Sequence, residues 1–189
     1  MKKLRILIAS SLLMVAIISC SSSKKATIQA QINTLDSLVL NQNFTIISSW
    51  ARPQVTNAMQ QVMNSGLMPL GSGAGSVSLI GNSNFLTIAG DSISSHLPYY
   101  GERQMNVNYG GGDSAIKLKG LMKDYKVTKT KDHSYRIDFT AKNESNLEVF
   151  TVSIKLYSNL QSDIFINSTS RFPISYRGEI KKELDTTAK

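Results

Sequence analysis

The sequence predicts a mainly β protein of the α+β type. We expect an antiparallel β-sandwich or barrel-like sheet of about seven to eight strands with one N-terminal amphipathic helix. Apolar and polar residues alternate with a period of two in many short segments between Phe44 and Tyr176, which is typical of half-buried antiparallel strands. Turn residues separate these segments where a parallel sheet would need crossover helices.

Residues 1–19 have the three parts of a secretory signal peptide. The segment starts with three basic residues, continues with an apolar stretch over residues 6–18, and ends with Ser19, a small residue. A stretch of about 13 apolar residues is shorter than the about 20 that a membrane-spanning helix needs. A cleaved signal is therefore favoured over a permanent membrane helix.

The end of this segment, Ile17-Ile18-Ser19-Cys20, resembles the lipobox of bacterial lipoproteins. The resemblance implies that the thiol of Cys20 receives a diacylglyceryl group, that the signal is cut before it, and that the new amine is acylated, for example with palmitate. Several acyl chains on one residue hold a protein on a membrane almost irreversibly. The alternative is an ordinary secretory signal followed by an unrelated cysteine.

Residues 20–26 are small and polar, which predicts a flexible tether. In double-membrane bacteria the residue after the lipidated cysteine influences which membrane a lipoprotein is sorted to. Ser21 at this position resembles the residue of lipoproteins that are sorted to the outer membrane. No acidic run that resembles a surface-export signal follows it. We therefore expect a lipid-anchored protein of the bacterial cell envelope, on the outer membrane facing the periplasm, with the cell surface as the alternative.

Removal of residues 1–19 leaves 170 residues, enough for one domain, and lowers the formal net charge from +8 to +5. No cluster of Lys and Arg is interleaved with aromatic residues, so a nucleic-acid partner is not expected. Cys20 is the only cysteine, so a lipidated chain has no thiol for disulfides or cysteine catalysis. We expect a single β-rich domain over residues 27–180 and a frayed tail over 181–189.

The helical spacing of Ile28, Ile32, Leu35 and Val39 predicts an amphipathic helix over about residues 27–42. We expect its apolar stripe to pack on the core. A helix lying on the membrane surface is the alternative, but its polar face lacks the Lys and Arg enrichment of such helices.

The period changes to two at Phe44, which predicts a first strand that ends at Arg52-Pro53, with Phe44, Ile46 and Trp50 on one side. Residues 54–66 predict a short helix and the glycine-rich residues 71–76 a mobile loop. Further strands are predicted around the following apolar positions: Phe85 to Ile88, Ser92 to Leu97, Ile116 and Leu118, Tyr135 to Phe139, Phe150 to Leu156, Ile164 and Ile166, and Ile174 and Tyr176.

No catalytic constellation is evident. His96 and His133 have no second ligand at metal-site spacing, so we expect neither a metal nor another cofactor. Asp91, Glu102 and Asp113 flank the glycine- and tyrosine-rich middle and can converge as a carboxylate pair, although each is also a natural turn residue. We nominate no catalytic residue.

Two stretches combine proline, tyrosine and glycine at strand ends: Leu97-Pro98-Tyr99-Tyr100-Gly101 and Arg171-Phe172-Pro173-Ile174-Ser175-Tyr176-Arg177-Gly178. They are either two structural corners or an aromatic rim of a groove whose arginines donate to an anionic ligand. The candidate rim consists of Tyr99, Tyr100, Arg103, Arg171, Tyr176 and Arg177.

The order of these motifs, from the lipobox through Ala51-Arg52-Pro53 and Gly90-Asp91-Ser92 to Leu97-Pro98-Tyr99-Tyr100-Gly101 and Ile174-Ser175-Tyr176-Arg177-Gly178, resembles bacterial lipoproteins of the domain of unknown function 4251 family. The resemblance covers about residues 28–180. It implies a β-rich exported domain and supplies neither an activity nor functional residues. Residues 54–80 are longer than expected for that family.

The leading hypothesis is a non-enzymatic envelope lipoprotein that is held on the membrane by its lipid anchor and binds an envelope protein, glycan or lipid. One alternative is a carrier of a small molecule or lipid, which would use the barrel interior or the tyrosine-lined groove. The other alternative is an enzyme that acts on envelope glycans.

Overall fold

The computed structural model describes residues 20–66, 68–73, 75–104, 114–145 and 147–181. The predicted signal peptide and all but one residue of the predicted tail lie outside these described residues. Within them the chain forms ten strands and two helices, and all strand pairs are antiparallel. The predicted fold class is confirmed, but the number of strands is higher than the seven to eight expected.

Helix α1 (Cys20–Leu40) precedes the sheet and packs on it through its C-terminal half. Ile32, Leu35, Leu38 and Val39 are buried, as the helical spacing predicts, whereas residues 26–30 are exposed. The helix begins at Cys20, so it includes the residues predicted as a tether. Neither helix in the described part of the chain combines the length and apolarity needed to cross a membrane.

Helix α2 (Asn57–Asn64) lies after the first strand, where the sequence predicts a short helix. The side-chain oxygen of Thr56 accepts a hydrogen bond from the backbone N–H of Met59 and caps the helix. Met59 is its only buried residue. This helix is therefore a surface element with little core of its own.

One sheet contains all the strands, and its order is β5-β4-β3-β1-β10-β9-β8-β7-β6, with β2 paired to β1. The strands are β1 (Asn43–Pro53), β2 (Val77–Ser78), β3 (Phe85–Ala89), β4 (Ser92–His96), β5 (Lys119–Leu121), β6 (Lys123–Lys129), β7 (Tyr135–Lys142), β8 (Val149–Leu156), β9 (Gln161–Ser168) and β10 (Ile174–Lys181).

The sheet curls into a nearly closed barrel. The two strands at the ends of the sheet order, β5 and β6, follow one another in the chain and are joined through Met122. An isolated bridge pairs Leu118 with Asn143, so the chain next to β5 also meets the end of β7. The structure therefore resolves the choice between sandwich and barrel in favour of a barrel-like sheet.

The inner face of β1 differs from the prediction at Trp50. The register against β10 shifts between Ser48 and Trp50, which marks a β-bulge. Ser48 and Ala51 are buried on the inner side, while Trp50 is only half-buried. Trp50 therefore does not share a side with Phe44 and Ile46, because the extra residue reverses the alternation.

Two strands, β2 and β6, were not predicted from the sequence. Strand β2 contains only two residues, too few to show a period. The strand predicted around Ile116 and Leu118 is present as two bridges, Leu97 with Ile116 and Leu118 with Asn143, that lead into the three-residue strand β5. Strand β6 contains three lysines, and only Tyr125 among its residues is partly buried. A strand exposed on both faces carries no apolar alternation, so the period-two signal is missing.

The interior of the sheet is one hydrophobic core built from inward residues of the long strands. Phe44, Phe139 and Phe150 are among its largest fully buried side chains. The predicted inward residues of β7, Tyr135, Ile137 and Phe139, are all buried. Burial of each such side chain stabilises the fold by about 1.5–3 kcal/mol before entropy is counted.

The barrel has two different ends. Helix α1 covers one, which we call the helix end: the Asp36 carboxylate accepts hydrogen bonds from the Lys129 ammonium and the Tyr135 hydroxyl, both at 2.8 Å. The opposite loop end consists of the described residues of 54–84, 97–118, 143–148 and 169–173, which connect strands there. The candidate functional residues lie mostly at the loop end.

Candidate functional site

The two proline–tyrosine–glycine stretches meet at the loop end. Arg103 and Arg171 pair as an antiparallel bridge, and the backbone N–H of Phe172 donates to the Glu102 carbonyl at 3.1 Å. The Tyr176 hydroxyl donates to the Pro98 carbonyl at 2.9 Å. Backbone and side-chain hydrogen bonds therefore join two segments that are about 70 residues apart in the chain.

Arg171 is the charged centre of this junction, and its side chain is only 8% exposed. Its Nε donates to both carboxylate oxygens of Glu148 at 3.1 Å, and its Nη1 donates to the Ser114 carbonyl at 2.7 Å. The guanidinium also lies over two aromatic rings, 5.0 Å from the centroid of Tyr99 and 5.6 Å from that of Phe150. Burial lowers the pKa of Arg171, but a guanidinium remains charged.

The Glu148 carboxylate also accepts hydrogen bonds from two serine hydroxyls. Its Oε1 accepts hydrogen bonds from the hydroxyls of Ser168, at 2.7 Å, and Ser170, in addition to Arg171. The Glu148 side chain is 13% exposed. A nearly buried carboxylate is costly unless it is paired and hydrogen-bonded, and this one is both.

Tyr99 packs beneath the guanidinium with its hydroxyl inside the protein. The hydroxyl lies 2.8 Å from the Glu102 carbonyl and 3.0 Å from the Phe172 carbonyl, and it donates to them. Burial raises the pKa of Tyr99 to about 12. Gly101 is required beside it, because a Cβ there would lie 2.4 Å from the Tyr99 hydroxyl oxygen.

The six candidate rim residues divide into buried and exposed groups. Tyr99, Arg171 and Tyr176 are buried, and burial also raises the pKa of Tyr176. Tyr100 and Arg103 are half-exposed beside them, and the Asn82 side-chain amide donates to the Tyr100 hydroxyl at 3.5 Å.

Arg177 does not join the cluster. It lies on the exposed face of β10, where its Nε is 4.0 Å from a carboxylate oxygen of Asp163. The structure therefore brings five of the six residues to the loop end, but only Tyr100 and Arg103 offer polar groups near its surface.

The buried polar groups of this cluster form hydrogen bonds within the protein. The donors of Arg171 and the hydroxyls of Tyr99 and Tyr176 are directed at protein acceptors, which holds the two corners together. Glu148, Ser168 and Ser170 were not predicted as site residues from the sequence. These residues carry no shared spacing, and the convergence of their oxygens exists only in the folded chain.

The two candidate carboxylates that the structure describes, Asp91 and Glu102, do not converge. Asp91 lies in the turn before β4, at the helix end, whereas Glu102 lies at the loop end, where it accepts a hydrogen bond from the Thr56 hydroxyl. Strand β4 separates them, so the hypothesis of an Asp91–Glu102 pair is wrong. Asp113 lies outside the described residues.

The two histidines are also far apart, since His96 ends β4 at the loop end and His133 lies in the β6–β7 turn at the helix end. Among the residues that the structure describes, no group of three or more His, Cys, Asp or Glu side chains is placed to hold a metal ion.

Comparisons with known proteins concern the fold. A family model described as Domain of unknown function (DUF4251) matches residues 26–180. The structure is similar to the crystal structure, at 1.95 Å resolution, of a DUF4251 family protein from Bacteroides eggerthii DSM 20697, with a TM-score of 0.53 and 11% sequence identity over 81% of this chain and 88% of that chain. No curated protein matches the chain.

Proposed function

Because the chain belongs to the DUF4251 family, whose description names no activity, we propose a function from the chain's own residues: it is a lipoprotein of the bacterial cell envelope, anchored through Cys20, and a non-enzymatic module that binds an envelope component through its loop end. The proposed location is the outer membrane facing the periplasm.

One observation carries this proposal, namely that the helix that begins at Cys20 packs on the helix end, whereas the half-exposed Tyr100 and Arg103 lie at the loop end. Cys20 starts helix α1, which packs on the helix end only from Ile32 onward. Ile32 lies twelve residues after Cys20, about 18 Å along a helix at 1.5 Å per residue. A lipid on Cys20 would thus attach the domain through this exposed part of the helix and leave the loop end free for a partner.

The filled interior supports an interaction module over a carrier. Large apolar side chains from strands on all sides of the barrel meet in one core, and a carrier would instead need a cavity of about 300–1,000 Å³. Partner binding through the exterior is compatible with such a core. The half-exposed Tyr100 and Arg103 supply a phenol and a guanidinium for that contact.

A carrier of a small polar molecule is the second candidate, favoured by three hydroxyls of the interior. In the described part of the chain, the hydroxyls of Ser48, Ser162 and Tyr125 are buried and have no hydrogen-bond partner in the protein. Buried hydroxyls of this kind are usually satisfied by water or a ligand. A guest that hydrogen-bonds them would be small, because the surrounding core is packed.

The anchor is tested by metabolic labelling of the host with a clickable fatty acid. We expect labelling of the wild type and of the matched control Ser23→Ala, and none of Cys20→Ala. Equal labelling of Cys20→Ala would overturn the lipoprotein assignment. Fractionation of the labelled cells then distinguishes the outer from the inner membrane.

The binding role is tested by native mass spectrometry of the protein purified from its own host, in wild type and in Arg103→Ala. A stoichiometric protein or glycan partner that Arg103→Ala loses supports the interaction module. Arg177→Ala, on the face of β10, is the matched control and should retain the partner. A bound small molecule that survives Arg103→Ala would instead support the carrier.

A further inference from the structure

Strand β6 has a hydrogen-bonded neighbour on one side only, because it stands at the end of the sheet order and pairs with β7. The chain that leads into it has neighbours on both sides. Leu118 bridges to Asn143 at the end of β7, and β5 pairs with β4 on the opposite side. The pairing with β4 ends where the Met122 N–H donates to the Asp91 carbonyl at 2.9 Å. From Lys123 onward, the side that β4 occupies along β5 is therefore open among the residues that the structure describes.

The register shows which backbone groups of β6 face this open side. At the end of the strand the Thr130 N–H donates to the Ser134 carbonyl at 2.8 Å, so these two residues form a hydrogen-bonded pair. Hydrogen-bonded and non-hydrogen-bonded pairs alternate along an antiparallel ladder. Thr128 and its partner Arg136 therefore form the next hydrogen-bonded pair. Val127, which precedes Thr128, directs its N–H and C=O away from β7 and towards the open side.

The side chains of β6 leave this edge accessible. Six of its seven residues are exposed, and only Tyr125 among them is partly buried. Val127 is 38% exposed. Helix α1 meets the strand at its end, where Asp36 pairs with Lys129 at 2.8 Å. Backbone N–H and C=O groups on such an edge are a template for a further strand.

A high positive charge accompanies the edge. Residues 117–131 contain six lysines and one aspartate, a formal charge of +5 that equals the net charge of residues 20–189. Lys126, in the middle of β6, is exposed and forms no ion pair with another described residue. Asp138, its in-register neighbour on β7, pairs with Arg136 at 3.0 Å. A carboxylate from another molecule would therefore meet an unpaired cation beside the open edge.

We propose that the open edge of β6 binds an extended, acidic polypeptide segment, which adds to the sheet as a further strand. The backbone of that segment would form hydrogen bonds with the N–H and C=O of Val127, and its carboxylates would lie next to Lys126. These two requirements, a strand backbone and negative charge, define the partner. The edge is separate from Tyr100 and Arg103 at the loop end, so this proposal and the proposed binding role fail independently.

The same two requirements disfavour other occupants. A second copy of β6 would bring the lysines of two edges together, and like charges opposite one another destabilise a strand pair. An anionic lipid surface would satisfy the lysines, but it has no strand N–H and C=O groups to pair with the backbone of Val127.

The first test is fluorescence anisotropy of labelled peptides of about ten residues, with the full chain in mild detergent at concentrations up to about 1 mM. We expect a peptide of alternating Glu and Val to bind. A peptide of alternating Glu and Pro has the same charge but lacks every second N–H, and a peptide of alternating Lys and Val has the opposite charge. Both should bind at least tenfold more weakly.

The outcomes of this test are distinct. Equal binding of the Glu–Pro peptide would show charge attraction alone and would overturn strand addition, and equal binding of the Lys–Val peptide would overturn the acidic partner. Absence of binding by the Glu–Val peptide would overturn the whole proposal. Capture of the chain by phosphatidylglycerol vesicles in that case would assign the basic stretch to a lipid surface.

Two variants test the two parts of the site. Lys126→Glu reverses the charge beside the edge and should weaken binding of the Glu–Val peptide at least tenfold. Val127→Pro removes the N–H that faces the open side, and an edge strand tolerates proline there, so the variant should fold and lose binding. The matched control is Lys155→Glu, which makes the same charge change on β8, between β7 and β9, and should bind as the wild type does. Equal weakening by Lys126→Glu and Lys155→Glu would overturn the assignment to the β6 edge.

Hydrogen exchange followed by NMR tests the geometry directly. In the free protein the Val127 amide should exchange rapidly, whereas the Thr128 amide, which faces β7, should be protected. Addition of the Glu–Val peptide should slow exchange at Val127 at least tenfold. A Val127 amide that is already protected in the free protein, or a bound peptide that leaves it unprotected, would overturn the proposal.

Discussion

Replacement of Arg171 by methionine tests whether the buried ion pair holds the loop end together. The variant keeps the aliphatic volume next to Tyr99 and Phe150 but leaves the Glu148 carboxylate without its cation. It also removes the donor to the Ser114 carbonyl. Loss of one member of a buried pair costs about 3–5 kcal/mol, which corresponds to a melting-temperature decrease of about 6–20 °C for a domain of this size.

The assay is urea unfolding followed by the fluorescence of Trp50, the only tryptophan, which lies half-buried on β1. The matched control is Arg177→Met, since the Arg177 side chain is 47% exposed and its Nε lies 4.0 Å from Asp163. An exposed pair contributes within about 1 kcal/mol. The two variants therefore differ in burial and share the same chemical change.

A double variant separates the ion pair from general packing. Glu148→Gln removes the carboxylate charge but keeps an oxygen that accepts from Ser168 and Ser170. If the unpaired charge causes the loss, Arg171→Met/Glu148→Gln should be more stable than Arg171→Met alone. A double variant that is less stable than Arg171→Met, or an Arg171→Met that loses no more than Arg177→Met, would refute the reasoning.

Three further predictions concern the helix end, the sheet and the corner tyrosine. The hydrogen bond from Lys129 lowers the pKa of Asp36. The stability that this ionised carboxylate contributes is therefore present above its unfolded pKa of about 4 and is lost as pH falls through its folded pKa. Asp36→Asn should melt a few degrees below wild type at pH 7, and the difference in melting temperature should close near pH 2. Gly178→Ala should prevent folding or lower the free energy of unfolding by more than about 3 kcal/mol, because a Cβ at residue 178 would lie 2.1 Å from the Ile47 carbonyl oxygen. The control is Gly73→Ala, which should not change the free energy of unfolding in the same assay, because a Cβ at residue 73 would meet open space. Burial raises the pKa of Tyr99 to about 12. The stability that the neutral Tyr99 hydroxyl contributes is therefore lost as pH rises from about 10 through about 12. In an absorbance titration at alkaline pH, Tyr99→Phe should lack one of the tyrosines that ionise late in the wild type.

The sequence by itself determined the elements whose faces differ in burial. Strands β7, β8 and β10 alternate because one face packs on the core and the other meets water, and the stripe of α1 follows the same logic at helical period. The order of the short motifs also pointed to the family that the match over residues 26–180 establishes. These features are local, so the period of the sequence is sufficient to show them.

Only the tertiary structure decided the features that depend on distant segments. The bulge at Ser48 turns Trp50 away from the core, and β6 becomes a strand by pairing with β7 although neither of its faces is well buried. Likewise, Arg171 and Glu148 become a buried pair only when the two corners and the start of β8 meet at the loop end. Backbone pairing and desolvation act between residues far apart in the chain, and no local period records them.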